Sequence, residues 1–232
     1  MANFQTHFNV ASFTSAIGAT TMFYSGLVDK TETILLFSAG VIGGILPDID
    51  SDNSTPARMM KLVLSNLFSF FVLFHFINIY PLTYLIPIWI VSYLFSILFF
   101  YSFNKITSHR GMFHSIPAGL IFWFSFSLLF YYLFEYDYLI SWYFGMFIFF
   151  GYLTHLVLDE IYSVDIKGVR LKKSFGTALK FYSKDTKSSL LFYILVATLF
   201  YFMPYKLQFI NSWNNFDIIT TYNKLIRNFK QW

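Results

Sequence analysis

The stretch LTYLIPIWIVSYLFSILFFYSF, residues 82–103, decides the fold, because it contains no Asp, Glu, Lys or Arg over its whole length. A helix needs about 20 mostly apolar residues to cross the hydrocarbon core of a membrane. Similar apolar runs recur along the chain. The sequence therefore predicts an all-α fold, a polytopic transmembrane helix bundle with about six to seven spans. The candidate spans are Val10–Val28, Thr33–Pro47, Leu62–Ile79, Leu82–Phe103, Ser115–Phe134, Tyr138–Leu158 and Ser188–Tyr205.

The composition supports a membrane protein. Hydrophobic residues make up 56% of the chain and charged residues only 12%, whereas soluble domains carry about 25% charged residues. Cysteine is absent, which excludes disulfides, thiolate metal ligands and cysteine nucleophiles. The net charge of +4 is explained by asymmetric loops, so membrane lipids are the expected partners and nucleic acid is not.

The distribution of positive charge predicts the orientation. If residues 1–9 lie on one side of the membrane, alternation of the spans puts 11 of the 16 Lys and Arg residues on that same side. The positive-inside rule makes it the cytoplasmic side, so we expect a multi-pass protein of the cytoplasmic membrane with a cytoplasmic N-terminus. The bundle is predicted over residues 1–205. Residues 206–232 form an amphipathic tail, which either follows a seventh crossing or lies in the interface.

Histidines and aspartates concentrate on the predicted cytoplasmic side. Ionisable groups at membrane depth are costly and usually functional. Mixed imidazole and carboxylate ligands are typical of a transition-metal site. The candidate ligands are His7, Asp48, Asp50, His114, His155 and Asp159. His75 falls nearer the opposite side and is interpreted as structural.

Two of these motifs have local geometry that can be inferred from spacing. His155 and Asp159 are four residues apart and share one helix face, as metal ligands or as a simple helix-end hydrogen bond. His109-Arg110-Gly111 precedes His114 and Ser115, a plausible N-cap with Pro117 in the first turn. That helix start together with Arg110 favours an anion such as phosphate, and the alternative is a polar interfacial loop.

The other candidates are weaker in isolation. Asp48 and Asp50 begin a run of alternate carboxylates that resembles a calcium loop, but Asn53 and Met59 replace its Gly and Glu, so an EF-hand is excluded. The acids then serve as oxygen ligands or as a solvated turn. His7 alone would be an ordinary interfacial histidine, and it gains meaning from lying on the same side as the others. The preceding segment is rich in small residues and is expected to pack closely: Ser38, Ala39, Gly40, Gly43 and Gly44.

These motifs occur in an order that resembles the YdjM-type family of bacterial inner-membrane proteins, which are described as metal-dependent hydrolases. The resemblance covers roughly residues 6–180, and HRG-x-x-HS and H-x-x-x-D are its most specific pieces. It extends to Gly168-Val169-Arg170-Leu171, whereas the basic Lys172 and Lys173 depart from the family pattern. The resemblance implies a hydrolase with a metal centre.

The leading hypothesis is a metal-dependent hydrolase at the cytoplasmic face, acting on a phosphoester or lipid-like, phosphorylated substrate. The six ligands would hold one or two divalent ions of zinc, manganese or iron. Arg110 would clamp phosphoryl oxygens, and His109 would protonate the leaving group or orient water, a role it could exchange with His114. An ion transporter that uses His75 and a non-catalytic, metal-stapled scaffold or regulator are the alternatives.

Overall fold

The computed structural model describes residues 3–50, 55–106, 112–165, 170–171, 176, 179–182, 185–214, 221 and 226. Within them the chain is helical apart from one antiparallel pair of two-residue strands, β1 (Val164–Asp165) and β2 (Arg170–Leu171). A short 3-10 helix, Leu46–Asp50, directly follows the second helix. The α-helices are α1 (Phe4–Ser25), α2 (Lys30–Ile45), α3 (Thr55–Phe76), α4 (Leu82–Ile106), α5 (Ile116–Tyr132), α6 (Tyr138–Ile161), α7 (Thr186–Phe202) and α8 (Lys206–Asn214). The all-α prediction is confirmed, and each predicted span coincides with a helix.

The predicted number of membrane spans can be compared with the length and hydropathy of the helices. By length and hydropathy, three stretches of the described chain can cross a membrane: Lys30–Asp48, Leu82–Ser102 and Tyr138–Ile161. A fourth span results if α7 and the following helix α8, bent by 87° from it, count as one. The predicted six to seven spans are not confirmed. The 17 residues of α5, for example, extend only about 26 Å, which is less than the ~30 Å hydrocarbon core.

Helix ends follow from local sequence chemistry. Asn3 accepts a hydrogen bond of 2.8 Å from the Thr6 amide and so caps the start of α1, which explains why this helix begins before the predicted apolar run. At its other end Gly26 adopts φ 80°, a left-handed conformation that suits glycine. Asp29 and Glu32 form a reciprocal capping box at the start of α2, with both hydrogen bonds at 2.7 Å.

Contacts divide the chain into two compact units. The first comprises Met1–Leu46 and His114–Trp232, and α6 is its central helix, since 72% of its apolar window is buried. The second unit is Pro47–Phe113, in which α3 packs on α4. Within this second unit, the interface between α3 and α4 is partly polar, because the Ser96 hydroxyl donates to the Ser65 hydroxyl at 3.1 Å.

In the first unit, α2 approaches α6 closely enough for the main chains to touch. A Cβ atom at Gly43 would overlap the carbonyl of Ile148, and one at Gly151 would overlap the carbonyl of Gly40. Small residues therefore allow this contact, as the composition of α2 predicts. The consequence is that main-chain atoms of α2 come within reach of side chains on α6.

The sharp bend between α7 and α8 is stabilised by hydrogen bonds and ring stacking. Lys206 Nζ donates to the carbonyl oxygens of Tyr201 at 2.9 Å and Met203 at 2.7 Å, which satisfies main-chain acceptors at the end of α7. The indole of Trp142 on α6 donates to the Pro204 carbonyl at 2.8 Å and stacks on Phe209 with ring centroids 4.3 Å apart. These contacts hold α8 against the start of α6. The predicted division into a bundle over 1–205 and a tail over 206–232 stays a prediction.

Candidate metal centre

The cluster begins on the last turns of α6. Its 3.6-residue period puts His155 and Asp159 on one face, where His155 Nε2 lies 3.8 Å from Asp159 Oδ2. Both side chains are buried, with exposed fractions of 0% and 5%. A carboxylate at this depth needs compensating partners, because an unpaired buried charge is costly.

Two further histidines bring such partners from other segments of the first unit. His7, in the second turn of α1, places Nε2 3.3 Å from Asp159 Oδ1. His114, directly before the Ser115 cap of α5, places Nε2 4.0 Å from Asp159 Oδ2. Three Nε2 atoms from three segments therefore converge on the two oxygens of one carboxylate.

The rings pack tightly around that carboxylate. His7 stacks on His155 with centroids 3.7 Å apart and planes 9° from parallel. His114 meets the same ring edge-on, at 5.7 Å and 71°. The donor atoms of His7, His155 and Asp159 all lie within 4.8 Å of one another. This spacing lets three ligands reach a single ion.

The protonation of His155 follows from its second nitrogen. His155 Nδ1 is 2.8 Å from the carbonyl oxygen of Gly44 on α2. A carbonyl can only accept, so Nδ1 carries a proton, and in the neutral imidazole Nε2 then presents its lone pair towards Asp159. Metal-binding histidines commonly donate their other ring N–H in this way, which fixes both tautomer and ring orientation.

Buried polar atoms without hydrogen bonds indicate whether the cluster suits a metal ion. Among the described residues, His7 Nδ1 and Asp159 Oδ1 are buried and have no hydrogen-bond partner. Buried polar atoms are nearly always satisfied, so such atoms require an explanation. A cation bound by the carboxylate would satisfy Oδ1 and compensate its charge. The donor set of three imidazoles and one carboxylate therefore fits a divalent transition metal.

The remaining predicted residues have different outcomes. Asp48 lies half-buried in the 3-10 helix after α2, within the second unit. The side chain of Asp50 and the whole of His109 and Arg110 fall outside the described residues. His75 is exposed near the end of α3, where its ring meets Phe76 at 4.9 Å. The ligand roles of Asp48 and Asp50 and the catalytic roles of His109 and Arg110 stay predictions.

Sequence reasoning missed the carbonyl of Gly44 as a partner of His155. The glycines of α2 predict close packing, but a main-chain acceptor leaves no signature of its own in a sequence. The local prediction at α5 is confirmed: the Ser115 side chain accepts from the Ala118 amide at 3.4 Å, and Pro117 lies in the first turn.

These features define a class: a helical membrane protein with a buried His/Asp cluster that could hold a metal ion. The model of the family described as YdjM inner membrane protein matches residues 1–209. The chain belongs to this inner-membrane family, as the resemblance of its motifs predicts. Comparison with curated proteins gives no match, and comparison with solved structures gives none either.

Proposed function

We propose that the protein is a membrane-embedded, metal-dependent hydrolase that acts at the cytoplasmic face on a phosphoester of a lipid-like substrate. One observation carries this proposal: three histidine Nε2 atoms lie within 4.0 Å of the Asp159 carboxylate in a buried cluster. Such a donor set has few structural uses in a chain with only 12% charged residues.

The residues divide the work as follows. His7, His155 and Asp159 would hold a zinc, manganese or iron ion, with His114 as a further ligand. The ion would polarise a phosphoryl oxygen and lower the pKa of a water molecule towards neutrality. Gly44 keeps the lone pair of His155 aimed into the cluster through the Nδ1 hydrogen bond. Asp48 and Asp50 are proposed as additional oxygen ligands.

Phosphate chemistry is favoured by the positive residues near the start of α5. The Ile116 amide, two residues after His114, donates to the carbonyl of Lys180 at 3.0 Å. The main chain of Lys180, which belongs to the basic segment 167–187, therefore lies beside the start of α5. The Lys and Arg residues of this segment would attract anionic headgroups at about 1 kcal/mol per residue. In this proposal Arg110 binds phosphoryl oxygens in a bidentate manner, and His109 delivers a proton to the leaving group.

A second candidate function, a metal-stapled scaffold, is favoured by the depth of the cluster. The four side chains are only 0–5% exposed, and structural zinc sites are closed whereas catalytic sites keep an open position. The cluster also joins α1, α6 and the start of α5, which a structural ion would fasten together. A scaffold would bind metal and gain stability without turnover.

The test is phosphate release from phosphatidic acid in phosphatidylglycerol vesicles containing the reconstituted protein, with zinc or manganese added. Asp159→Asn keeps the side-chain shape but removes the charge, and we expect release to fall by about 10–100-fold or more, the range for disturbed metal environments. Asp137→Asn is the matched control: this exposed residue caps the other end of α6, and Asn caps equally well.

Metal bound per chain is measured on the same samples by plasma mass spectrometry. Metal in the wild type with no phosphate release would reject the phosphoesterase and leave the scaffold. No metal in the wild type after supplementation would reject both functions.

A further inference from the structure

A groove of about 300 Å³ lies along the seam between α1 and α6. It belongs wholly to the first unit and is partly enclosed. Side chains are absent at Gly18 and Gly151, which widens the seam, and the indole of Trp213 on α8 forms part of its wall. The accessible surface of the groove is mostly apolar, and the lining includes Met22, Met146, Phe147 and Phe150.

Three of the four hydroxyl groups that line the groove already make hydrogen bonds, and the fourth is that of Ser15. The hydroxyls of Thr14, Thr21 and Thr154 each donate to a main-chain carbonyl of their own helix, at 2.9, 2.8 and 2.9 Å. The groove has no charged side chain in its lining. Since these donors are satisfied, the groove suits an occupant that makes no hydrogen bonds, such as a hydrocarbon chain.

The groove leads to the His/Asp cluster. The lining residue Gly151 is followed at intervals of four by His155 and Asp159, so all three lie on one stripe of α6. On α1, Thr14 is two turns from His7, about 10 Å along the axis. The two helices run antiparallel, because His7 contacts His155 whereas Gly18 lies next to Phe147 further along.

We propose that the groove holds the acyl chain of a membrane lipid whose phosphorylated headgroup lies at the His/Asp cluster. This inference rests on the proposed function and names its substrate class. The polarity along this face of α6 matches an amphiphile: an uncharged, mostly apolar groove is followed along the helix by a cluster of imidazoles and a carboxylate. Lipid tails are as apolar as the groove, so transfer of an acyl chain from the bilayer gains little from hydrophobicity. The fit of the chain to the shape of the groove would favour binding and would position the headgroup at the cluster.

The experiment uses phosphatidylglycerol vesicles with a trace of phosphatidic acid that carries a diazirine in one acyl chain. After photolysis, peptide mass spectrometry measures label on residues 146–151, which include the buried Met146 and Phe147. Label on Leu82–Ser102 is the internal reference, because only 11% of that window is buried and bulk lipid reaches it.

The decisive variant is Thr14→Phe, which places a ring at an exposed position of the groove wall. Thr20→Phe makes the same change at an exposed position of α1 outside the lining. We expect wild type and Thr20→Phe to label residues 146–151, and Thr14→Phe to lose that label while keeping the reference label. Absence of groove label in the wild type, or equal label in both variants, would overturn the inference.

A third variant separates this inference from the proposed function. In His155→Ala, label in the groove should persist while phosphate release is lost. Groove label without phosphate release in the wild type would reject the hydrolase and keep the lipid site. Phosphate release without groove label would keep the hydrolase and reject the acyl-chain site.

Discussion

At the scale of single residues, Asp159 is the centre of the candidate metal site, since histidines from α1, α6 and the segment before α5 all direct Nε2 towards it. Each histidine alone has an ordinary explanation as an interfacial or capping residue. The convergence of all three histidines on a buried carboxylate has no such ordinary explanation. Among the described residues, the cluster leaves His7 Nδ1 and Asp159 Oδ1 without a hydrogen bond.

The two histidines His7 and His75 provide a matched pair for the ligand assignment. His7→Ala removes a buried donor atom 3.3 Å from Asp159, and we expect metal affinity to fall by at least about 10–100-fold. His75→Ala changes an exposed ring and should leave affinity unchanged. Competition with a metal-chelating dye measures the metal affinity of both variants. A loss of ion transport in His75→Ala, with metal binding intact, would instead favour the transport alternative.

At the scale of elements, the contact between α2 and α6 places the Gly44 carbonyl where His155 can use it. This contact depends on glycines whose main chains approach carbonyl groups of the opposite helix. The position of His155 is therefore controlled by the spacing of two helices.

Substitution at that contact should have a measurable cost. Gly43→Ala introduces a methyl group against the Ile148 carbonyl, and we expect the free energy of unfolding to fall by about 1–3 kcal/mol, together with weaker metal binding. Ser38→Ala is the control on the same helix, since Ser38 is exposed and its hydroxyl donates to the Ile34 carbonyl one turn earlier. Unfolding in a denaturant series measures both variants. Equal stability of the two would show that the contact tolerates a methyl group.

The start of α7 should respond to pH. Asp185 accepts hydrogen bonds from the Ser188 hydroxyl and from the amides of Lys187 and Ser188, and the hydroxyl bond in particular lowers the pKa of the Asp185 carboxyl. Because the pKa of Asp185 is lower in the folded protein, the cap stabilises α7 fully at pH values above the ordinary aspartate pKa of about 4. That stabilisation is lost as pH falls through the lowered pKa.

Hydrogen exchange at the Lys187 and Ser188 amides measures this loss. Their protection, relative to Asp185→Asn at each pH, should decrease on acidification, because Asn caps a helix without titrating. Parallel behaviour of the two proteins across the acidic range would show that the charge of Asp185 contributes nothing to the cap.

At the scale of the whole molecule, an ion held in the cluster would link α1, α6 and the start of α5. A ligand at 100 times its Kd stabilises a protein by about 2.7 kcal/mol, so saturating zinc or manganese should raise the Tm by about 5–10 °C. Asp159→Asn should show no such rise. A fluorescence-based thermal scan in detergent checks this, and an equal rise in the variant would locate the ion elsewhere.

Much of this architecture could be predicted from the sequence. Apolar runs predict the helices, and the spacing of His155 and Asp159 predicts a shared face. Ser115 and Pro117 predict the start of α5. Such features depend on local periodicity and capping, which neighbouring residues determine.

The remainder depends on tertiary contacts. The role of the Gly44 carbonyl arises only when α2 meets α6, and a main-chain oxygen is common to every residue. The sharp corner before Lys206 involves a left-handed Tyr205, φ 47°, which is uncommon for a residue other than glycine and is not indicated by the apolar pattern. The predicted number of spans stays unconfirmed, because an apolar run does not fix the length of its helix, as the 17 residues of α5 illustrate.

The separation of His7 from Asp159 along the chain has a consequence for biosynthesis. At ordinary rates of translation the ribosome adds the intervening residues over a period on the order of ten seconds. During that time His7 has already been made, while the carboxylate of Asp159 does not yet exist. The complete His/Asp cluster therefore forms only after α6 has been made, so an ion held by this cluster would have to enter a chain that is already largely synthesised.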